Sequence, residues 1–370
     1  MSRNLATIQK IENLSPIENA DRIELAQILG WKVIVAKGEF QPGDLCLFFE
    51  IDSLIPTYKE LEFLSKIGTK TIEVDGMEKT GYRIKTMRLK GVLSQGLAIP
   101  MFRLTSIMAG IGREIITEDI AILQENYVPQ VGDDLSTYLD VVKYEKPIPL
   151  SMRGEVKGNF PKYFPKTDLL RIQNYPGFLE RNKNVLFSIQ EKVDGQSLSI
   201  YLKDDEFGVC SRNLELKDND HDSRWTVVKA LDIENKLRDG RARGLFNNIC
   251  LQGEFVGKDV QGNRLNLPNR TILFFDAFNI DDQRYYDIDV FYRFINELQL
   301  NAVSLYNINT IIGDNTIDTL VNMAIGNSLV NQSVQREGIV FKAQKEAVDK
   351  ETGRMCFKVI NPEYLLKNDE

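Results

Sequence analysis

Apolar and polar positions alternate between residues 186 and 202 on either side of Asp194-Gly195. Leu186, Phe187 and Ile189 precede the pair, and Leu198, Ile200 and Leu202 follow it. Period-two alternation marks strands with one buried face, so the stretch predicts two strands around a tight Asp-Gly turn. Shorter runs of the same kind occupy residues 6–11, 23–29, 31–36 and 45–51, divided by a turn-rich stretch at 13–21 and by Pro42-Gly43-Asp44. Two more follow at 82–90 and 91–100, and regularly spaced short strands predict a small barrel. Residues 106–126 predict a helix weakened by Gly110 and Gly112. Residues 128–165 carry Pro129, Pro147, Pro149, Pro161 and Pro165 with few apolar runs, the character of a linker. The domains are therefore expected at 1–150 and 151–370.

Beyond the linker, 168–173 predicts a short helical piece with Asp168 as its N-cap. The spacing of Trp225, Val228, Leu231 and Leu237 predicts a helix, as does 290–300, while 249–256 and 271–280 predict buried strands. Residues 336–342 and 355–360 predict strands that carry charge. The second domain is expected to be α+β with a substantial antiparallel sheet.

Composition narrows the chemistry. The 370 residues are 43% hydrophobic and 27% charged, values of an ordinary soluble globular chain with room for two cores. No apolar run approaches a membrane span, and MSRNLATIQK lacks the pattern of a signal peptide. Cys46, Cys210, Cys250 and Cys356 are scattered, as reduced thiols of a cytoplasmic protein would be. The single histidine, His221, sits in a polar run, which disfavours His-dependent triads and His-rich metal sites. A net charge of −7 argues against a general polyanion-coating protein. Any nucleic-acid contact must be local, and Arg83, Lys85, Arg88 and Lys90 form a basic patch that suits a phosphate backbone; the alternative is a solvated strand face.

Charged residues inside buried strands are costly unless paired or engaged by a ligand. After the linker they occur at Lys192, Glu254, Glu337 with Lys342, and Lys358, with Arg212 on a fifth strand. Several cations and carboxylates converging on one pocket suit a nucleoside triphosphate. Lys192, half-buried at a strand end, would have its pKa lowered far enough for the neutral amine to attack phosphorus. Gly195 leaves space for a backbone to approach a nucleotide.

The segments Lys192-Val193-Asp194-Gly195, Ser211-Arg212-Asn213, Gly253-Glu254-Phe255-Val256-Gly257, Phe275-Asp276-Ala277-Phe278-Asn279-Ile280, Glu337-Gly338-Ile339-Val340-Phe341-Lys342 and Phe357-Lys358-Val359-Ile360-Asn361 resemble, in order, the motifs of covalent nucleotidyltransferases. Among these the chain looks most like the ATP-dependent RNA ligases that carry an OB-type domain N-terminal to the nucleotidyltransferase domain. Asn19-Ala20-Asp21-Arg22-Ile23-Glu24-Leu25-Ala26, Gly30-Trp31, Gly43-Asp44 and Phe49-Glu50-Ile51-Asp52-Ser53 are similar to that domain. Lys166-Thr167-Asp168 with Arg171 resembles the family's segment ahead of the nucleophile.

The resemblance implies that Lys192 takes AMP from ATP as a lysyl-AMP phosphoramidate. AMP then passes to a 5′-phosphate RNA end, and a 3′-hydroxyl displaces it, with single strands or a nicked duplex as substrate. It further implies that Lys342, Lys358 and Arg171 offset phosphate charge, that Glu254 binds the ribose and that Phe278 stacks on adenine. Glu337 would hold a hydrated Mg2+ or Mn2+, and Arg212 would meet the ribose or the incoming end. Glu191, Asp194 and Gly195 flank the nucleotide as part of the lysine motif. Lys85, Arg88 and Lys90 are the expected RNA contacts, and a monomer is expected. Two positions depart from the pattern: Ile360 stands where many relatives have a second lysine, with Lys345 or Lys367 as substitutes, and Asn279 stands where an aspartate is common. The alternatives are a DNA ligase, a capping-type nucleotidyltransferase, or a non-catalytic RNA-binding adaptor of the same fold.

Overall fold

The structure is a computed structural model describing residues 4–74, 77–111, 128–144, 156–313 and 315–368. The chain divides into two compact units, Met1–Ile148 with Leu366–Glu370, and Pro149–Leu365. The residues around the expected boundary at 150, including Pro147 and Pro149, lie outside the described set.

The first unit is built from short antiparallel strands. Leu45–Phe49 pairs with Ala6–Lys10 on one side and Leu97–Pro100 on the other. Asn13–Pro16, Ile23–Ile28 and Trp31–Ala36 form a second sheet. A third joins Val142–Lys143, Ser53–Pro56, Met77–Arg83 and Lys70–Val74. The alternation at 31–36 does what the pattern requires: Trp31, Val33 and Val35 are buried, Lys32 and Ile34 less so. Ile8, Leu47, Phe49, Ile55, Tyr82 and Ile99 share one core. Asn13–Pro16, expected to be a turn, is a strand because Ile23–Ile28 offers it a four-residue antiparallel partner. The helix expected over 106–126 begins earlier, at Met101–Ile111, and residues 112–126 lie outside the described set.

The second unit is built on two large sheets. A seven-stranded one runs, in spatial order, Val156–Asn159, Leu214–Leu216, Glu206–Cys210, Gln196–Lys203, Ile249–Val256, Thr271–Asn279 and Arg284–Tyr285. The five-stranded one runs Leu170–Arg171, Cys356–Ile360, Gly338–Ala343, Leu186–Lys192 and Leu305–Ile311. On the outer face of the larger sheet, Leu198, Ile200, Leu251 and Phe274 pack with Trp225, Val228, Leu237, Phe291 and Phe294 from the covering helices. On the outer face of the smaller one, Phe187, Ile189, Ile339, Phe341, Phe357 and Val359 pack with Phe178 and Leu320. Alternation then turns the intervening residues of both sheets inward. Lys342 of the smaller sheet reaches Asp276 of the larger one, so the inner faces look at each other across a polar cleft.

Three local expectations change. The strands on either side of Asp194-Gly195 are not a hairpin: Leu186–Lys192 pairs within the smaller sheet and Gln196–Lys203 within the larger. The turn is therefore a crossing between sheets, which lays the lysine motif over the mouth of the cleft. The helix read from Trp225 to Leu237 is two helices, Ser223–Ala230 and Ile233–Ala242, divided at Asp232 with φ of 54°. Asp168 caps no helix; Leu170–Arg171 is a strand, and the Asp168 carboxylate accepts from Arg212 instead.

Candidate active site

Lys192 ends its strand with its Nζ facing inward, 2.7 and 2.6 Å from the two carboxylate oxygens of Glu337. The register explains the meeting, because Lys192 lies opposite Gly338 and Glu337 immediately precedes it. Gly338 admits no side chain here, since a Cβ would come 2.3 Å from the Val359 carbonyl oxygen. Gly195 is constrained alike: a Cβ would lie 2.3 Å from the Phe255 carbonyl oxygen. Its N–H donates to Glu254 Oε1 at 3.1 Å, tying the lysine motif to strand Ile249–Val256. Asp194 accepts from the Tyr364 hydroxyl at 2.6 Å and pairs with Arg264 at 3.1 Å.

The electrostatics run against the sequence expectation for Lys192. Burial disfavours its charge, but the carboxylates of Glu337, Glu254 and Asp194 outweigh burial and hold its pKa above the ordinary value. Lys192 is thus an ammonium gripped by acid, and it must be released before it can attack. Burial pushes Glu254 up to about 8, with Lys192 opposing the rise and Glu337 and Asp194 adding to it.

The remaining cations lie at different depths. Lys358 and Arg171 are neighbours in a parallel pair, and Lys358 is close enough to Glu337 to act on its charge. Lys342 is deeper. It lies opposite Ser188, four residues before Lys192, which is ~13 Å along the strand. Its ammonium donates to the Phe275 carbonyl at 2.5 Å and pairs with Asp276 at 2.8 Å, and burial lowers its pKa. Of the two suggested substitutes for a lysine at Ile360, Lys345 is turned to solvent and paired with Asp287 at 3.0 Å. Ile360 itself is buried opposite Gly338.

Arg212 pairs with Asp168 at 2.8 Å, Lys166 donates to Asn213 at 2.9 Å, and Thr167 shares a hydrogen bond with Ser197. The segment ahead of the nucleophile is thereby laced to the Arg212 loop. Glu191 is directed to the opposite face from Lys192, buried, where its carboxylate accepts from Leu329 N–H at 2.9 Å. Phe278 shares the inner face with Asp276 but is buried two residues further along the strand, among Phe164, Tyr201, Cys250 and Ile280, edge-on to Tyr285. Phe275 is the aromatic that reaches the cleft. A bulge sets Gln252 opposite Asp276 and Gly253 opposite Phe274, leaving Phe275 without a cross-strand partner. Its half-buried ring lies 5.3 Å from Lys342 Nζ.

Sequence reasoning missed Asp276, Arg354, Arg264 and Tyr364. Asp276 carried a usable signal, since it is a lone carboxylate in Leu273-Phe274-Phe275-Asp276-Ala277. Arg264 and Tyr364 sit in ordinary polar surroundings, and only the fold brings them to Asp194.

Among the described residues no three His, Cys, Asp or Glu side chains gather closely enough to hold a metal ion by themselves. A small divalent cation that keeps its waters and shares phosphate ligands needs only one or two carboxylates. Glu337, inward-facing and paired with the lysine, fits that role. In the first unit, Met87–Leu89 and Val92–Ser94 form a hairpin turned by Lys90-Gly91, both with positive φ. Lys85, Arg88 and Lys90 are exposed there beside exposed Met87 and Leu89, and Arg88 donates to the Gly91 carbonyl. Arg83 turns away, paired with Asp52 at 3.1 Å and lying over the Tyr144 ring. No helix among the described residues is long and apolar enough to cross a membrane.

A family model described as an OB-fold domain matches residues 5–101, and one described as RNA ligase matches residues 186–360. Among solved structures, the chain is similar to Naegleria gruberi RNA ligase with PPi. The two are 33% identical over 100% of this chain and 99% of that one, with a TM-score of 0.82. A mutant of the Naegleria gruberi enzyme with AMP and Mn is 33% identical over 99% of each chain, at 0.82. Another mutant, with ATP and Mn, is 33% identical over 98% of each chain, also at 0.82. No curated protein matches the chain.

Proposed function

This chain belongs to the RNA ligase family, with an OB-fold domain ahead of the ligase domain, and on that premise we propose that it joins 3′-hydroxyl and 5′-phosphate RNA ends with ATP through a lysyl-AMP intermediate. The observation that carries the reading is the inward-facing Lys192 held by Glu337 and ringed by the charge of Glu254 and Asp194. Lys192 Nζ attacks the α-phosphorus of ATP, the bond to the β-phosphate oxygen breaks, and pyrophosphate leaves. Both Glu337 oxygens lie within 2.7 Å of Lys192 Nζ, so the ammonium must leave that ion pair and shed its proton to solvent before it attacks. Glu337 would hold a Mg2+ or Mn2+, whose positive charge would favour the neutral amine and offset phosphate charge. Lys358 and Arg171 offset charge building on the phosphate oxygens. AMP then moves to the RNA 5′-phosphate, and the RNA 3′-hydroxyl displaces it to form the phosphodiester.

The rest of the cleft divides by depth. Glu254, already bonded to Gly195 N–H, turns its remaining lone pairs to the ribose. Lys342, ~13 Å along the strand from Lys192, belongs with the base and not with the phosphates. The bulge favours Phe275 over Phe278 as the ring that packs on adenine. Arg212 and Asp168 face the incoming end, and Lys85, Arg88 and Lys90 meet the RNA backbone, in single strands or a nicked duplex. We take the working unit to be a cytoplasmic monomer.

The test is covalent labelling. Protein with α-labelled ATP and divalent metal is denatured and compared with Lys192→Ala. Label retained on the wild type, absent from the variant, and released by acid but not by base supports the lysyl-AMP. A wild type that takes no label after stripping with pyrophosphate overturns the ligase mechanism in favour of an RNA-binding adaptor.

A further inference from the structure

The hairpin that joins the two lysine-bearing strands, Gly338–Ala343 and Cys356–Ile360, consists of Val348–Asp349 paired with Gly353–Arg354. Its turn end is pinned from outside, where Asp349 accepts from Arg181 and Asn182 at 3.1 Å each. Arg354 points from this hairpin beneath the cleft. Its Nη1 and Nη2 meet the two oxygens of Asp276 at 2.8 and 2.9 Å. Its Nε and Nη2 meet Glu346 at 2.8 and 3.1 Å, and its guanidinium lies flat on the Tyr285 ring, 3.4 Å from the centroid. Asp276 Oδ2 accepts Arg354 and Lys342 together, each at 2.8 Å. Glu346, Arg354, Asp276 and Lys342 thus form one chain of alternating charge running from the hairpin to the cleft floor.

A buried chain of this kind adds little stability over apolar packing, so its use lies in fixing position. Asp276 alone could rotate and carry Lys342 with it. With both oxygens held by a planar, bidentate guanidinium, the carboxylate has one orientation. Lys342, buried at the cleft floor, then has two of its three N–H donors committed, to Asp276 and to the Phe275 carbonyl. We propose that Arg354 is a positioning residue for nucleotide binding, which acts through Asp276 to set the Lys342 ammonium at the base end of ATP. This rests on the ligase reading of the cleft.

The experiment is self-adenylylation with ATP varied, alongside a melting curve for each variant. Arg354→Met is expected to raise KM for ATP at least about tenfold while kcat at saturating ATP stays within about threefold, because the reacting atoms are untouched. Asp276→Asn is expected to do the same. The double variant is expected to be no worse than the poorer single one, as for residues acting in series. Arg354→Lys restores charge without the bidentate grip and is expected to fall between. Should Arg354→Met fail to fold, Glu346→Gln loosens the guanidinium from its other side and is expected to raise KM about threefold. Unchanged KM in a folded Arg354→Met or in Glu346→Gln, a loss confined to kcat, or additive effects in the double variant would each overturn the role of Arg354. A wild type that takes no label overturns the ligase reading instead, and a labelled wild type with insensitive variants overturns only this proposal.

Discussion

Replacing Glu254 by glutamine should change how the stability of the ligase unit depends on pH. A glutamate side chain in the unfolded chain titrates near 4.5, whereas in the folded site burial pushes Glu254 up to about 8. The folded state therefore holds a proton that the unfolded state releases, and stability is lost as pH rises between those values. Below 4.5 both states are protonated and the residue contributes nothing to the slope. A gap of about 3.5 pH units at ~1.36 kcal/mol per unit gives a loss of about 5 kcal/mol once pH passes 8, with about 3 kcal/mol already lost at pH 7. Glutamine keeps an oxygen to accept from Gly195 N–H but does not ionise. Urea unfolding of nucleotide-free wild type and Glu254→Gln at pH 5, 7 and 8.5 measures the difference. The curves should nearly coincide at pH 5, and the variant should become progressively the more stable of the two. Parallel curves, or a gap that widens toward low pH, would refute the assignment of a buried, proton-holding carboxylate.

Further expectations follow from the same geometry. Glu337→Gln removes the carboxylate facing Lys192, so the pH midpoint for modification of Lys192 by an amine reagent, read by mass spectrometry, should move down; an unmoved midpoint contradicts the ion pair. Phe278→Ala empties a packed aromatic cluster and should destabilise the unit by about 3–5 kcal/mol in urea. Phe275→Ala, from a half-buried position, should instead raise KM for ATP with a smaller loss of stability, and the reverse pattern would return the base to Phe278. Changing Lys85, Arg88 and Lys90 together to glutamate should spare self-adenylylation, weaken sealing, and flatten its salt dependence. Equal sealing by that variant excludes the hairpin from the RNA path.

The strands with clear periodicity were legible. Ile249–Val256 matches its expected bounds, and the Trp31–Ala36 alternation is realised in burial. The cleft could be anticipated because Lys192, Glu254, Glu337, Lys342 and Lys358 are charged residues in apolar strands, and such residues are tolerated only with partners. What failed was inference from neighbours in sequence. Asp194-Gly195 reads as a hairpin turn, yet pairing partners far along the chain draw its flanking strands into different sheets. A bulge between Phe274 and Asp276, with Phe275 as its extra residue, breaks simple alternation in this strand, and no local pattern announces a bulge.

The sequence by itself determined which residues are charged within buried strands, the order in which the motifs occur, and the family that order resembles. Those properties are local, set by side-chain chemistry and by the period of a strand. The tertiary structure alone decided the state of each group. Lys192 is held charged because Glu337 and Glu254, from two other segments, converge on it beside Asp194 of its own motif. Lys342 belongs to the floor because register sets it four residues below the nucleophile, and Asp276 is fixed because a distant hairpin delivers Arg354. Charge interactions depend on distance through space and on the water excluded between groups, and neither quantity is written in the order of residues along a chain.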